Sequence, residues 1–502
     1  MAKSRSLGGR EVVVAIDLGT SACKVVAFDR SGKRVAYGRN AYGTSVDATG
    51  RVEQDPRAWW KAVKSAIRIS GLKDHRTRIV AYTVSSLRAA VLPVDSRGRP
   101  LASAILAPDL RADVEAKWLS QRLGEREAYE KTGLRISMYA SLPRILWLKK
   151  NKPNVFSPAA KILCAQDFLI HKLTGRTVTD LSHASRTLCF NIHTKSWDPE
   201  IMRVSRLSHE LLPDLIDPGS VVGGLQSAVA HELGIPVAPV VAAGGDQMCA
   251  SVGLGGVSPG QVTINHGTGS FVETPTNQPI VDPSAGSFSS VHVLPNHWIQ
   301  EFPLLTTGRI LEGLLNTFQG SPSDSLQLIN AALSQPVSAT QYDPLIFLPY
   351  QAGATAPHWS PRLPGVIWGL KSHHCMSDIV RSFFQSIVFD LRRCIAKLRT
   401  TPREISVGGR LANSKQFNQM QADILGVSIV RTAEPEATAL GSAALAFAAL
   451  GIYASPQHAV QVMVRRIDSG CFRPRSNENA IYQGLFEAQE KILKIATEQS
   501  KG

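Results

Sequence analysis

Two carboxylates on glycine turns are the residues of this chain best placed to do chemistry. Asp17 lies in VVVAIDLGTSACKVVAFD (12–29), where an apolar, β-rich run meets a Gly-Thr turn and a second such run. Asp246 follows Gly244-Gly245, just after the apolar stretch Pro236–Val241. A second Gly-Thr turn, in QVTINHGTGSFVE (261–273), repeats the first design with Asn265 in place of Asp17. Turns built from glycine and hydroxyl residues offer backbone N–H groups to an anion with no side chain in the way. The repetition predicts two lobes of similar design gripping one polyphosphate. Only the first turn brings a carboxylate, as suits a residue that manages a divalent cation such as Mg²⁺.

Gly19, Thr20 and Ser21 supply amide and hydroxyl donors at the first turn, and Gly267, Thr268 and Gly269 form the opposing clamp. Lys24 can neutralise phosphate charge or stand solvated on its strand. Asp246 carries two compatible readings. It can cap the helix that starts at Gln247, or it can orient an attacking hydroxyl and accept its proton.

These residues need rigid elements behind them. Strand-like runs at Val12–Ile16, Cys23–Phe28 and Ile79–Val84 alternate with helical stretches at Arg57–Ser70, Ala112–Gly124 and Leu142–Asn151. Asp55-Pro56 opens the first helix as N-cap and first-turn proline. Leu181–Asp198 reads as short strands and turns. Gly255–Gly260 (GGVSPG) punctuates the chain as a lobe boundary, dividing it into 11–254 and 255–497. Beyond it come a helix over Asp378–Leu398, strands at Ile405–Val407 and Val427–Arg431, and an Ala-rich segment at Ala437–Leu450. Strands alternating with helices predict an α/β protein of two lobes with a cleft between them.

At 502 residues the chain is long enough for two or three domains. Its 44% hydrophobic and 7% aromatic content is that of a globular protein, and no apolar run approaches a membrane span. The seven cysteines are scattered, with no CxxC pair, which favours reduced thiols and a cytoplasmic location. The net charge of +15 is spread along the chain without a basic-aromatic repeat, which argues against a nucleic-acid partner.

Six motifs in order carry a family resemblance: DLGTSACK (17–24), AAGGDQ (242–247), NHGTGSF (265–271), GVIWGL (365–370), VGGRLANS (407–414) and PEATALGSAALA (435–446). Together they resemble the FGGY carbohydrate kinases over roughly residues 11–490. The resemblance implies an actin/hexokinase-like (ribonuclease H-like) fold of two lobes. It also implies an ATP- and Mg²⁺-dependent transfer of the γ-phosphoryl group to a sugar or polyol hydroxyl, with Asp246 as general base and Asp17 at the metal. Gly408-Gly409 followed by Asn413 resembles the family's adenine site. Phe383 departs from the family's second signature, where a smaller or aliphatic residue is usual. Family members often form dimers.

Arg88, Tyr139, Asp246, Gln247 and Phe271 match the polyol-binding Arg, Tyr, Asp, Gln and Phe of the family's glycerol kinases. Two partners of that set are missing: an acid is replaced by Ala89 and a tryptophan wall by Ala107. Asp109 remains as a candidate hydroxyl acceptor. The wider pocket fits a pentulose such as xylulose or ribulose better than glycerol. Autoinducer-2, tetritol and glycerol kinases are the alternatives on the same machinery. From another class, a chaperone-like ATPase shares the fold, but it needs no hydroxyl-binding pocket.

Overall fold

The computed structural model describes residues 10–72, 77–267, 269–282, 284, 286–305, 325–334, 344–351, 353–360 and 362–500. In chain order the first lobe contains β1 (Arg10–Leu18), β2 (Ala22–Asp29), β3 (Arg34–Ala41), α1 (Pro56–Ile69), β4 (Thr77–Ser86), α2 (Ala165–Thr174), α3 (Leu181–Ala184), β5 (Ser220–Gly224), β6 (Pro239–Gly245) and α4 (Asp246–Gly253). Its sheet runs β5-β6-β4-β1-β2-β3. The second lobe is built on β7 (Val262–His266), β8 (Ser270–Thr276), β9 (Phe288–Val291), β10 (Trp298–Leu304), α5 (Met376–Ala396), β11 (Glu404–Gly409), α6 (Lys415–Leu425), β12 (Ser428–Thr432), α7 (Ala437–Ala449) and β13 (Arg466–Phe472). Its sheet runs β9-β10-β8-β7-β11-β12-β13.

The two sheets share one plan. β1 pairs antiparallel with β2 and parallel with β4, and β7 pairs antiparallel with β8 and parallel with β11. The order β3-β2-β1-β4-β6 therefore matches β10-β8-β7-β11-β12. Each hairpin sits at the middle of its sheet, and its turn lies at the end where the parallel strands stop. That is the edge of an α/β sheet where ligands are bound.

Local chemistry sets these elements. β1 is apolar on consecutive residues because helices cover both faces of its sheet. Val12, Val14 and Ile16 pack with Trp59, Ala62, Val63 and Ala66 of α1. Val13 and Ala15 face a second core with Ala439, Leu440, Ala443 and Phe447 of α7. α1 begins where Asp55 accepts the Arg57 N–H at 2.9 Å, with Pro56 in the first turn.

Two expectations change. Leu181–Asp198 opens with a helical turn, α3, because the Asp180 carboxylate caps the N–H groups of Ser182 and His183. The division after residue 254 separates the two sheets but not the two packing units, since α7 lies against the sheet of the first lobe. α4 and α7 cross with their backbones in contact. A Cβ on Gly253 would come within 1.9 Å of the Ala437 carbonyl, and one on Gly441 within 1.9 Å of the Cys249 carbonyl.

Candidate active site

The first hairpin closes tightly. Asp17 pairs in register with Lys24, and the Gly19 N–H donates to the Ala22 carbonyl at 3.1 Å. That amide is therefore spent within the turn and is not a free phosphate donor. Thr20 and Ser21 stand exposed at the tip, with no described residue engaging their hydroxyls. Gln54 pins the tip by donating to the Thr20 carbonyl at 2.7 Å, and Trp59 holds Gln54 in turn at 2.8 Å. Asp17 is buried beneath the tip, 6% exposed, with the Ser85 hydroxyl 3.4 Å away. Burial raises its carboxyl to about 7; Lys24 pulls the value down, while Asp246 and Glu436 push it up. Lys24 is partly exposed but paired. Its ammonium meets Glu436 at 2.5 Å, just before α7.

Asp246 is the first residue of α4, and its Oδ1 accepts the Gln247 N–H at 2.8 Å. Its side chain is 16% exposed, and the Arg88 Nε lies 3.7 Å from Oδ1. Burial raises its pKa against the opposing pull of Arg88. Arg88 donates to Glu301 of β10 at 2.6 Å, and its guanidinium lies 5.7 Å from the centroid of the Phe271 ring. Gln247 accepts from the Asn265 amide at 2.9 Å, which joins the head of α4 to the second hairpin. The structure thus brings Arg88, Asp246, Gln247 and Phe271 together, as the sequence anticipated.

Sequence reasoning missed the charges behind this group. Glu301 is fully buried; it binds Arg88 and also Arg186, at 3.3 Å. Glu273 is buried beside it. Burial and the neighbouring Glu301 push the Glu273 carboxyl well up, whereas the two arginines overcome burial and hold Glu301 down at about 2. Arg88 finds its carboxylate partner on a remote strand, β10. Glu301 and Arg88 are lone charges in apolar runs, WIQEFPLL and SSLRAAVL, and that was the available signal.

Asp109 is corrected to a structural role. It is fully buried, and Oδ1 accepts both the N–H and the Nε of Arg111. Oδ2 accepts the Val52 N–H and the Arg111 Nη2. With about four acceptor sites on a carboxylate, none is left for a substrate hydroxyl. Tyr139 is partly buried, and its carbonyl accepts from Arg144 at 3.1 Å. Arg144 also holds the Ala89 carbonyl at 2.8 Å, fixing Ala89 at a φ of 60° beside Arg88. Ala107 is partly exposed.

On the second hairpin the Gly267 N–H donates to the Gly269 carbonyl at 2.8 Å, so it too closes its own turn. Thr268 lies outside the described residues. Gly408 and Gly409 are accounted for by protein packing: a Cβ on Gly408 would meet Leu254 at 2.7 Å, and one on Gly409 the His266 carbonyl at 2.1 Å. They bring β11 close to its neighbours and do not by themselves clear a slot for a flat base. Asn413 is exposed, and its Oδ1 accepts from Arg431 at 2.8 Å.

Among the described residues no group of three metal-binding side chains exists. One buried carboxylate raised by a second is the donor set that fits Mg²⁺, which takes one or two carboxylates together with water and phosphate oxygens. Asp17 would hold the ion, whose charge would relieve the repulsion that Asp17 feels from Asp246 and Glu436.

Family models match the first lobe almost whole and the second as far as residue 450. The N-terminal domain of the FGGY family of carbohydrate kinases matches residues 12–253, and its C-terminal domain matches 262–450. The chain is 28% identical over 492 residues to a xylulose kinase of Staphylococcus epidermidis, with 97% of each covered. It is 29% identical over 504 residues to a glycerol kinase of Ectopseudomonas mendocina, covering 96% of this chain and 98% of that one. A ligand-bound xylulose kinase structure from Lactobacillus acidophilus aligns with a TM-score of 0.88 at 27% identity, over 97% of this chain and 98% of the other.

Proposed function

The chain belongs to the FGGY family of carbohydrate kinases, and from that premise we propose that its acceptor is an open-chain pentulose, xylulose or ribulose, phosphorylated at the expense of ATP. The enzyme class follows from the family: a phosphotransferase acting on a hydroxyl of a small sugar or polyol. One observation carries the residue assignment. Asp246 stands at the head of α4 with its carboxylate partly accessible, steadied by Arg88 and by its own helix, between the two hairpins.

In this reading the sugar hydroxyl donates its hydrogen bond to Asp246 and passes its proton there as its oxygen bonds to the γ-phosphorus. The bond to the bridging oxygen breaks, and ADP leaves. Thr20 and Ser21 contact phosphate from one lobe and the turn at Gly267 and Gly269 faces it from the other; Asp17 would hold Mg²⁺, whose charge would offset that of the phosphates. Arg88, braced by Glu301, and Phe271 line the sugar side. The partly exposed Ala107 leaves the width that a five-carbon chain needs, and the resemblance to xylulose kinases supports that choice.

A coupled assay of ADP release across xylulose, ribulose, erythritol, glycerol, gluconate and the autoinducer-2 precursor tests the proposal. The highest kcat/KM is expected on a pentulose. A preference for glycerol would overturn the substrate, and equal ADP release without any sugar would favour the chaperone-like ATPase.

A further inference from the structure

A buried polar knot beneath Gly244-Gly245 is not used by the chemistry described above, and it touches both segments that present the site. The Gly244 N–H donates to the Gln166 Oε1 of α2 at 2.9 Å, and the Gly245 N–H donates to the Ser182 Oγ of α3 at 3.0 Å. Gln166 and Ser182 both donate in turn to Asp180. The second oxygen of Asp180 also takes the Nδ1 of His183 at 2.8 Å. The other ring nitrogen, Nε2, lies 3.1 Å from the Ser86 Oγ, two residues before Arg88. Asp180, Ser182, His183, Gln166 and Ser86 are all at most 2% exposed.

The backbone here requires such support. Gly244 has a φ of 119°, and a Cβ there would meet Val293 at 2.5 Å and the Ser182 Oγ at 2.8 Å. A turn with this conformation, leading directly into a functional carboxylate, is held by its surroundings and not by local preference.

We propose that Asp180 and His183 are positioning residues for Asp246: a single carboxylate gathers the groups that pin the Gly244-Gly245 turn, and the imidazole ties that knot to the end of β4 and so to Arg88. The inference rests on the kinase reading and adds to it the parts that fix the base and the guanidinium relative to one another. Burial alone would depress the His183 pKa, but the Asp180 carboxylate beside it outweighs burial and raises the value. Neither residue touches substrate. They act through the turn, and errors of about 1 Å in such geometry cost on the order of 10²-fold in rate.

Asp180→Asn in the full-length chain tests this, because an amide oxygen cannot replace the acceptor sites of a carboxylate. On the pentulose that the wild-type chain turns over best, kcat is expected to fall roughly 10- to 100-fold, with KM for sugar and ATP within about twofold. Asp180→Asn added to Asp246→Asn should cost nothing further, since a positioning residue has no effect once its base is gone. Amide hydrogen exchange of the peptide 239–250 reads the pinning without turnover, and Asp180→Asn should accelerate it relative to peptides of the second sheet. Should Asp180→Asn fail to fold, His183→Asn takes its place: it keeps a donor to Asp180, drops the tie to Ser86, and should show a smaller loss with the same non-additivity. Losses that add in the double variant, or a lowered melting temperature with kcat intact, would overturn the proposal. A wild-type chain that ignores every sugar would instead remove the kinase substrate reading, leaving hydrogen exchange to decide whether the knot pins the turn.

Discussion

The two hairpins are built on one backbone plan and carry opposite electrostatics. Around the first, Asp17, Lys24 and Glu436 form a charged set in which a carboxylate is buried at a cost. At the second, the corresponding position is Asn265, which hydrogen-bonds to Gln247. The residue after it, His266, lies buried between Ser270 and Gln421, and burial lowers its pKa to about 4. One hairpin keeps a buried carboxylate among paired charges; the other holds its shape without charge. Duplicated architecture therefore need not mean duplicated chemistry, and a single position, Asp against Asn, marks the division of labour.

The largest effect should come from the carboxylate that serves both hairpins. Asp246→Asn keeps the volume and an oxygen for the Gln247 N–H but cannot accept a proton, so kcat should fall by ~10²–10⁴ with ADP affinity by calorimetry nearly unchanged. Retention of more than about a tenth of wild-type activity would remove Asp246 from the base role.

Next, Asp17→Asn makes the first hairpin resemble the second. It should lower kcat/KM for ATP by roughly 10- to 100-fold, and Asn265→Asp should not restore it. The wild-type kcat/KM for ATP should fall below pH 7 as Asp17 takes up a proton, a decline that the variant lacks. Stability should move the other way. The folded pKa of Asp17 lies above its unfolded value, 7 against 3.8, so the folded state binds the extra proton between those values and is relatively destabilised above pH 7. Asp17→Asn should accordingly raise the melting temperature at pH 8 and leave it unchanged at pH 3.5.

The two turns also differ in tolerance. A Cβ on Gly19 would sit an ordinary 3.5 Å from the Ala22 carbonyl, whereas one on Gly269 would meet the Leu304 carbonyl at 2.7 Å. Chemical denaturation should find Gly19→Ala within about 0.5 kcal/mol of wild type and Gly269→Ala down by about 1–3 kcal/mol. Equal losses would show that the turns are equally crowded.

The smallest effect concerns acid. His266 has a folded pKa of about 4 against 6.5 unfolded, so the unfolded chain binds the extra proton between these values, and this contribution to stability is lost as pH falls through that window. The first hairpin gains stability from Asp17 over much of the same range. In melting curves from pH 7 to 4, Asp17→Asn should therefore lose stability more steeply than wild type.

The elements were legible where local chemistry decides. Apolar runs of β length bounded by glycine gave β1, β2 and β6, and Asp55-Pro56 gave the start of α1. Asp246, Arg88, Gln247 and Phe271 were legible as a group because motif order survives without any knowledge of contacts. What stayed hidden depends on distant partners. Nothing local to Arg88 announces Glu301, more than two hundred residues away, and nothing local to Asp109 shows that Arg111 and the Val52 N–H occupy it fully. Gly408 and Gly409 also lie close to Leu254 and the His266 carbonyl, contacts that nothing local to them announces. Leu181–Asp198 does hold short strands, Phe190–Asn191 paired with Ser196–Trp197; only its opening turn is helical, and the capping strength of Asp180 that makes it so was not weighed.

The crossing of α4 and α7 has a consequence for how the chain is made. One face of the first sheet, with Val13, Ala15, Val26, Ala81 and Val241, is covered by Ala439, Leu440, Ala443 and Phe447, which leave the ribosome roughly two hundred to more than four hundred residues later than the strands they cover. During synthesis that face must wait uncovered, and sequence-distant contacts of this kind slow folding and prolong exposure to aggregation. A ribosome-released fragment ending near residue 255 would present a bare apolar sheet face, so the boundary that divides the molecule on paper is not one at which its birth can be interrupted.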